Sequence, residues 1–299
     1  MDSAVTTIAT GPRRRVSRRQ LEARRKDLRR IAEALNAAAA LVPVQHPAAA
    51  KVERKNGGDP VTTAERAVDR LLFKMLVQGD EGWLSEESQD NPQRLEKSRV
   101  WMVDPLDGTK EYISGIPEWC ISIGLIEEGL PVAGGVYNPA RRELFLGARE
   151  TGVKVEGKFS EIENWRKGKE ILVLASRSEV DRGEWERFRR SPFVICPVGS
   201  VAYKLALVAA GVADATWTEV PKHEWDVAGG VALVRAAQGI VSTPAGSAPV
   251  FNRRNPLLDG LVAVSKQGRS QLVSQWTTGS VMPGWMDSLR GRLGTPLEG

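Results

Sequence analysis

The segment Trp101-Met102-Val103-Asp104-Pro105-Leu106-Asp107-Gly108-Thr109-Lys110-Glu111 is the part of the chain best equipped for chemistry. An apolar strand delivers two aspartates, three positions apart, at a strand-to-loop exit. Pro105 fixes φ and lacks an N–H. Gly108 permits a tight turn and close backbone approach, and Thr109 adds a hydroxyl and an N–H. Hard oxygen ligands, in a chain whose only histidines are His46 and His223, favour Mg²⁺ over zinc. Two carboxylates can hold one ion or bridge two, and N–H groups after the turn can bind an anion. Taken alone, the segment reads equally well as a turn whose aspartate caps a helix.

Two further acidic segments point the same way. Trp83-Leu84-Ser85-Glu86-Glu87-Ser88 is another apolar run ending in paired carboxylates, and Glu224-Trp225-Asp226-Val227-Ala228-Gly229-Gly230 sets an aspartate at the start of an apolar helix. By themselves Glu86 and Glu87 suit a solvated loop, and Asp226 suits an ordinary helix cap.

These segments need elements to hold them. Leu21, Leu28, Ile31 and Leu35 recur at helical spacing, which predicts a helix from about Arg18 to Leu41 with arginines on its other face. A polar loop over 51–60 leads to a second helix over about 63–77, with Ala67, Val68, Leu71, Leu72 and Met75 on its apolar face. Short strand-like runs follow at 82–85, 100–103, 121–126, 131–137 and 143–146, which predict an antiparallel sheet. After about 160 the pattern alternates. Strands at 171–175, 193–196, 213–218 and 261–264 are interleaved with helices at 184–190, 200–210 and 226–237, the signature of a layered α/β unit. The organisation read from the chain is a flexible basic lead-in (1–16), an α+β domain (17–160), an α/β domain (161–270) and a weakly patterned tail (271–299).

Composition narrows the class. The 299 residues are 41% hydrophobic and 26% charged, ordinary for a globular protein. No stretch is long and apolar enough to span a bilayer. Cys120 and Cys196 both lie in apolar runs and read as buried free thiols, not a disulfide scaffold. The net charge of +5 is local: ten of the 42 Lys and Arg fall within 12–30 against Glu22 and Asp27, so the remainder is net −3. A basic body would argue for nucleic acid, and this one is not basic. Ser17-Arg18-Arg19 is faintly like an export signal, but no apolar run follows it, so the chain reads as cytoplasmic.

Taken together, the acidic segments closely resemble the Mg²⁺-dependent, lithium-sensitive phosphatases of the inositol monophosphatase superfamily. The resemblance is nearest to the 3′(2′),5′-bisphosphate nucleotidases. It is carried, in family order, by Asp59-Pro60-Val61-Thr62-Thr63-Ala64-Glu65, Leu84 to Ser88, Asp104 to Glu111, Gly199-Ser200-Val201-Ala202 and Trp225 to Gly229, and covers about residues 20–265. It implies a layered αβαβα sandwich of the inositol-phosphatase and fructose-bisphosphatase type. It also implies that Glu86, Asp104, the Leu106 carbonyl, Asp107 and Asp226 bind two or three Mg²⁺ ions. The substrate phosphate would sit against Gly108 and Thr109. Thr109 would orient the attacking water with the acid at 65, and Gly199, Ser200, Val201 and Glu219 would line the leaving-group pocket.

Position 65 is Glu where the family usually has Asp, which moves the carboxylate outward by about one C–C bond. Glu179 stands where the nucleotidases often have His, whereas Lys110 after Thr109 is more typical of the nucleotidases than of the inositol phosphatases. Lys204 reads as an exposed helix lysine. The reaction expected is release of the 3′-phosphate from 3′-phosphoadenosine 5′-phosphate. The alternative is an inositol-1-phosphate phosphatase, or one for a related sugar or histidinol phosphate. An outside alternative is a polyanion-binding protein with a vestigial phosphatase core. The expected partner is a small-molecule phosphate monoester, with no membrane and no nucleic acid, in a chain that the resemblance suggests forms a homodimer.

Overall fold

The computed structural model describes residues 5–8, 16–44, 52–54, 60–165, 170–188 and 192–277. His46, Asp59, Trp285, most of the basic lead-in and the tail beyond 277 lie outside the described residues.

The first half runs β1 (Val5–Ile8), α1 (Arg18–Ala39), β2 (Val52–Arg54), β3 (Pro60–Thr62), α2 (Thr63–Leu76), β4 (Gly82–Ser85), β5 (Arg99–Asp107), α3 (Thr109–Ile113), β6 (Cys120–Glu127), β7 (Leu130–Asn138), β8 (Glu143–Ala148) and β9 (Gly152–Glu156). The second runs α4 (Ser160–Glu163), β10 (Ile171–Ser176), α5 (Arg177–Asp181), β11 (Phe193–Val198), α6 (Val201–Ala209), β12 (Ala215–Thr218), β13 (Lys222–His223), α7 (Glu224–Ala236), β14 (Ile240–Ser242), β15 (Leu257–Leu258), β16 (Leu261–Val264) and α8 (Lys266–Thr277).

Seven strands form a large sheet in the order β1-β9-β8-β7-β6-β5-β4, and five form a smaller one in the order β11-β10-β12-β16-β14. Helices α1 and α2 bury Ile31, Leu35, Val68 and Leu72 against the outer face of the large sheet. Helices α6 and α7 fill the space between the sheets, where Leu205, Val208, Val227 and Val231 join the central core. On the far face of the small sheet, Trp185, Phe188, Phe193 and Trp217 form a third cluster. This is the αβαβα sandwich. The central layer requires near-contact between backbones: a Cβ on Gly134 would lie 2.4 Å from the Gly229 carbonyl oxygen. Only glycine lets α7 settle this close to β7.

The structure corrects several expectations. The first half is not wholly antiparallel. β4 pairs with β5 in parallel, Ser85 opposite Val103, because the chain crosses back through a 3₁₀ turn at Pro92–Glu96. Val5–Ile8, expected within a flexible lead-in, pairs with β9 along its edge, as its β-branched residues favour. The helix expected over 184–190 is only a 3₁₀ turn at Glu186–Phe188, preceded by Gly183 at φ 78°. Residues 271–277, assigned to the tail, complete α8.

Helix α1 begins with a capping box, Ser17 accepting from the Gln20 N–H and Gln20 returning the bond. Its arginines do not all face solvent. Arg24 pairs with Glu127 at 2.5 Å, Asp27 at 3.1 Å and Glu150 at 3.3 Å, while Arg30 pairs with Glu81 at 2.8 Å and lies over the Trp101 ring. Arg99 closes the network through Asp27, Glu81 and Glu127. Glu81 before β4, Glu127 at the end of β6, Glu150 between β8 and β9, and Asp27 on the helix itself therefore draw two cations inward, and the segment holds less free positive charge than its composition implies.

Candidate active site

The cleft opens where the C-terminal ends of parallel strands β4 and β5 meet the N-termini of α3, α6 and α7. Extending the β4–β5 register by one residue sets Glu86 beside Asp104. Asp226 arrives from the first turn of α7. One carboxylate oxygen each from Glu86, Asp104 and Asp226 lies within 4.8 Å of the other two. Asp104 is 2% exposed and its Oδ1 accepts the Leu106 N–H at 2.9 Å, which folds the Pro105 turn back on itself. Asp226 Oδ2 accepts the His223 N–H at 2.9 Å, so Asp226 does serve the helix start as well as facing the cluster.

The electrostatics of the trio are those of a group that could hold a cation. Burial, with Glu86, Asp107 and Asp226 close by, pushes the Asp104 carboxyl well above its ordinary range. Burial, then Asp107 and Glu86, raises Asp226 to about 8. Converging carboxylates in a desolvated pocket are unfavourable without a compensating charge. An all-oxygen donor set of this kind fits a hard divalent ion.

Asp107 stands apart from that trio. Its Oδ2 accepts from Ser200 Oγ and the Ala202 N–H, both at 2.6 Å, which ties β5 to the start of α6. Ser200 pays for this contact with a φ of 57°, a region that non-glycine residues rarely occupy. Its hydroxyl also caps α6, accepting the Tyr203 N–H at 3.0 Å, and lies 3.3 Å from Cys120 Sγ. After Asp107 the chain turns through Gly108 at φ 95°, where a Cβ would come within 2.9 Å of the Glu118 carbonyl oxygen. The turn starts α3 and aims Thr109 at α2. Thr109 Oγ1 lies 2.8 Å from Glu65 Oε1 and 3.2 Å from the Leu106 carbonyl oxygen. Glu65 is 2% exposed. The longer side chain is thus accommodated, and the contact expected between positions 65 and 109 is made.

The cleft has a volume of about 270 Å³, and Glu86, Asp104, Leu106, Asp107, Gly108, Thr109 and Asp226 line one end of it. Gly199, Ser200 and Val201 line it from the α6 side, as expected. Glu219 does not. Thr218 turns inward to bond Glu179 at 2.6 Å, and Glu219, one residue on, is exposed in an ion pair with Arg187 at 2.9 Å. Lys204 corrects the sequence reading in the other direction. It lines the cleft at 4% exposure, donating to the carbonyls of Val198 at 3.2 Å and Ser200 at 3.1 Å. Burial lowers its pKa to about 8, against the pull of Asp107. Glu179, also in the cleft wall, accepts from Trp185 Nε1 at 3.1 Å. Lys222, Thr216 and Trp217 complete this end and were not anticipated. The available signal for Lys204 was weak: a lone lysine in the otherwise apolar helix 201–209.

Comparison with known proteins agrees with this architecture. A family model described as the inositol monophosphatase family matches residues 24–277. The chain belongs to the inositol monophosphatase family. It is 32% identical over 200 residues to the inositol-1-monophosphatase of Mesorhizobium japonicum, covering 64% of this chain and 75% of that one. The crystal structure of the extragenic suppressor protein suhB from Bartonella henselae superposes with a TM-score of 0.65 at 28% identity, covering 82% of this chain and 96% of that one. CysQ from Bacteroides thetaiotaomicron, a bacterial member of the inositol monophosphatase family, shares the fold with a TM-score of 0.66 at 24% identity, covering 81% and 97%. Membership of the inositol monophosphatase family makes the chain a metal-dependent phosphomonoesterase acting on small-molecule phosphate monoesters. Among the described residues no helix is long and apolar enough to cross a membrane.

Proposed function

We propose that this protein is a Mg²⁺-dependent, lithium-sensitive cytoplasmic phosphatase that removes the 3′-phosphate from 3′-phosphoadenosine 5′-phosphate. Glu86, Asp104, Asp107, Asp226 and the Leu106 carbonyl are the groups that would hold the metal. The ion, when bound, supplies charge neutralisation at the phosphoryl group and acidifies the attacking water. The chain's own residues do the positioning. Thr109 donates its hydroxyl proton to Glu65, which turns an oxygen lone pair toward the cleft to accept from water. Glu65, as the carboxylate, is the base: as attack proceeds the water gives a proton to Thr109 Oγ1 while the threonine proton passes to Glu65. Ser200 holds Asp107 in orientation, and the first turn of α3 presents N–H groups to phosphate oxygens. Alignment and charge neutralisation account for most of the catalysis of such displacements.

The observation that carries the nucleotide reading is Lys204. A buried ammonium in the cleft wall, with two of its three protons on backbone carbonyls, suits a leaving group that carries an anion of its own. Lys222 and Lys110 line the same cleft. Phosphate release from 3′-phosphoadenosine 5′-phosphate and from myo-inositol 1-phosphate, measured in parallel with and without lithium, tests this. The bisphosphate should be preferred, with turnover lost in Asp107→Asn. Lys204→Met should lower kcat/KM for the bisphosphate about 10- to 100-fold, the range for a charged hydrogen bond, and leave the inositol phosphate little changed. Equal losses on both substrates would assign Lys204 to the 198–200 turn alone.

A second reading, an inositol-1-phosphate phosphatase, is favoured by Glu179. Its buried carboxylate offers acceptors to a leaving group rich in hydroxyls. The name of the Mesorhizobium relative points the same way. Preference for myo-inositol 1-phosphate in the same assay would select it.

A further inference from the structure

Helix α2 buries two acids one turn apart, Glu65 at 2% exposure and Asp69 at 5%. The first reaches Thr109. The second does not line that cleft; it lies largely buried in the wall of a separate cavity that Trp83 and Ser88 also line. Burying a carboxylate is costly unless it is hydrogen-bonded, so its partners reveal what it does. Ser85 Oγ donates to Asp69 Oδ1 at 2.5 Å. Ser85 is the last residue of β4 and is itself 3% exposed. On the other side of the turn, Trp83 Nε1 donates to Ser88 Oγ at 2.8 Å. Burial raises the pKa of Asp69, while the hydroxyls of Ser85 and Ser88 pull it down by favouring the charged form. Between these two serines stands Glu86.

Glu86 differs from the other members of the acidic trio in how it is held. Asp104 is embedded in a sheet strand and Asp226 in a helix, whereas Glu86 is an exposed side chain on the loop after β4. A ligand on a loop needs its backbone fixed from outside for the metal geometry to be reproducible. We propose that Asp69 is a positioning residue for metal binding: through Ser85, with Ser88 beside it, it clamps the turn that carries Glu86. Helix α2 then does two things from one face. Glu65 orients the hydroxyl that handles water, and Asp69 registers the loop that contributes a metal ligand. Both are set by the same rigid element. This inference rests on the reading of Glu86, Asp104 and Asp226 as metal ligands.

The test is calorimetric titration of Mg²⁺ into the full-length wild type, Ser85→Ala, Asp69→Ala, the double variant and Asp69→Asn, alongside the Mg²⁺ dependence of kcat. Loss of an outer-shell partner typically weakens metal affinity about 10- to 100-fold, so Asp69→Ala and Ser85→Ala should each fall in that range. The double variant should be no more than about threefold weaker than Asp69→Ala, because both remove one interaction. Asp69→Asn keeps an acceptor for Ser85 and should stay within about threefold of wild type. At saturating Mg²⁺, kcat should return close to wild type, a split that a general loss of stability would not produce. Mg²⁺ affinity within twofold of wild type in Ser85→Ala and Asp69→Ala would overturn the proposal, whatever happens to Tm. Should Asp69→Ala not fold, Ser85→Ala decides alone, since it removes a single hydroxyl. Absence of Mg²⁺ binding by the wild type would instead bring down the metal reading itself, and the two failures are distinct.

Discussion

The substitution of Glu for Asp at position 65 shows how far a single residue can depart from a pattern and still be used. With the longer side chain in place, Oε1 accepts from the Thr109 hydroxyl at 2.8 Å. Glu65→Asp should therefore lower turnover, because the shortened side chain falls short by roughly a bond length in a site that tolerates about 0.5 Å. Glu65→Gln, which keeps the length but not the basicity, should lower kcat about 10²- to 10⁴-fold with unchanged Mg²⁺ dependence, as for loss of a general base. The candidate metal ligands were named from the sequence through the family resemblance, carried by the ordered set of acidic segments; the strand exit from Asp104 to Thr109 taken alone reads equally well as a turn. Lys204 and Glu219 were misjudged because exposure depends on what packs against a residue. Lys204 is covered by the turn at 198–200, and Glu219 leaves a strand on the opposite side to Thr218. A buried pair outside the site gives a pH signature. Burial raises Glu143 to about 7, against the hydrogen bond from Tyr203 and the charge of Arg141. A carboxyl raised above its unfolded value of 4.5 keeps its proton in the folded state, so its stabilisation is complete below about pH 4.5 and is lost as pH rises through about 7. Tm measured from pH 5 to 8 should fall less steeply in Glu143→Gln than in wild type.

At the scale of elements, each part of the site sits at the end of something rigid. Strands β4 and β5 run parallel and finish side by side, and α7 enters from the second half to complete the trio. The strands of the first half were legible as short apolar runs bounded by turn residues. The parallel sense of β4 was not, because strand direction depends on the path of the connection and not on local pattern. The approach of α7 is equally invisible in its helical periodicity. It is set by glycines on both partners, Gly134 on β7 and Gly229 on the helix. Gly134→Ala should push α7 outward, with a cost of about 1–3 kcal/mol for overpacking. Because Asp226 rides on that helix, Mg²⁺ affinity should fall together with Tm. Thermal melts with and without Mg²⁺ would show this as a smaller metal-induced gain than in wild type.

For the molecule as a whole, the ion network beneath α1 fastens the outer helical layer to the large sheet. Arg24 has a side-chain exposure of 10% and serves three acids. Removing one member of such a buried set leaves the others uncompensated, so Arg24→Ala should cost about 3–5 kcal/mol, read as a drop in denaturation midpoint with turnover per folded molecule retained. The sequence showed the arginines but not their partners, which lie as far away as Glu127 and Glu150, and so it overstated the basic surface. The αβαβα layering was anticipated from the family resemblance and from the change of pattern near 160.

The close seat of α7 against the large sheet also has a consequence in time. The helix packs on strands β5 to β8, all of which are synthesised before it, and it carries the acid that completes the trio. Until α7 has been made, the inner face of that sheet is covered only in part, by α6, and the acidic cluster lacks a member. Docking of α7 thus completes both the central core and the acidic trio, and a chain that stops before α7 has neither in full.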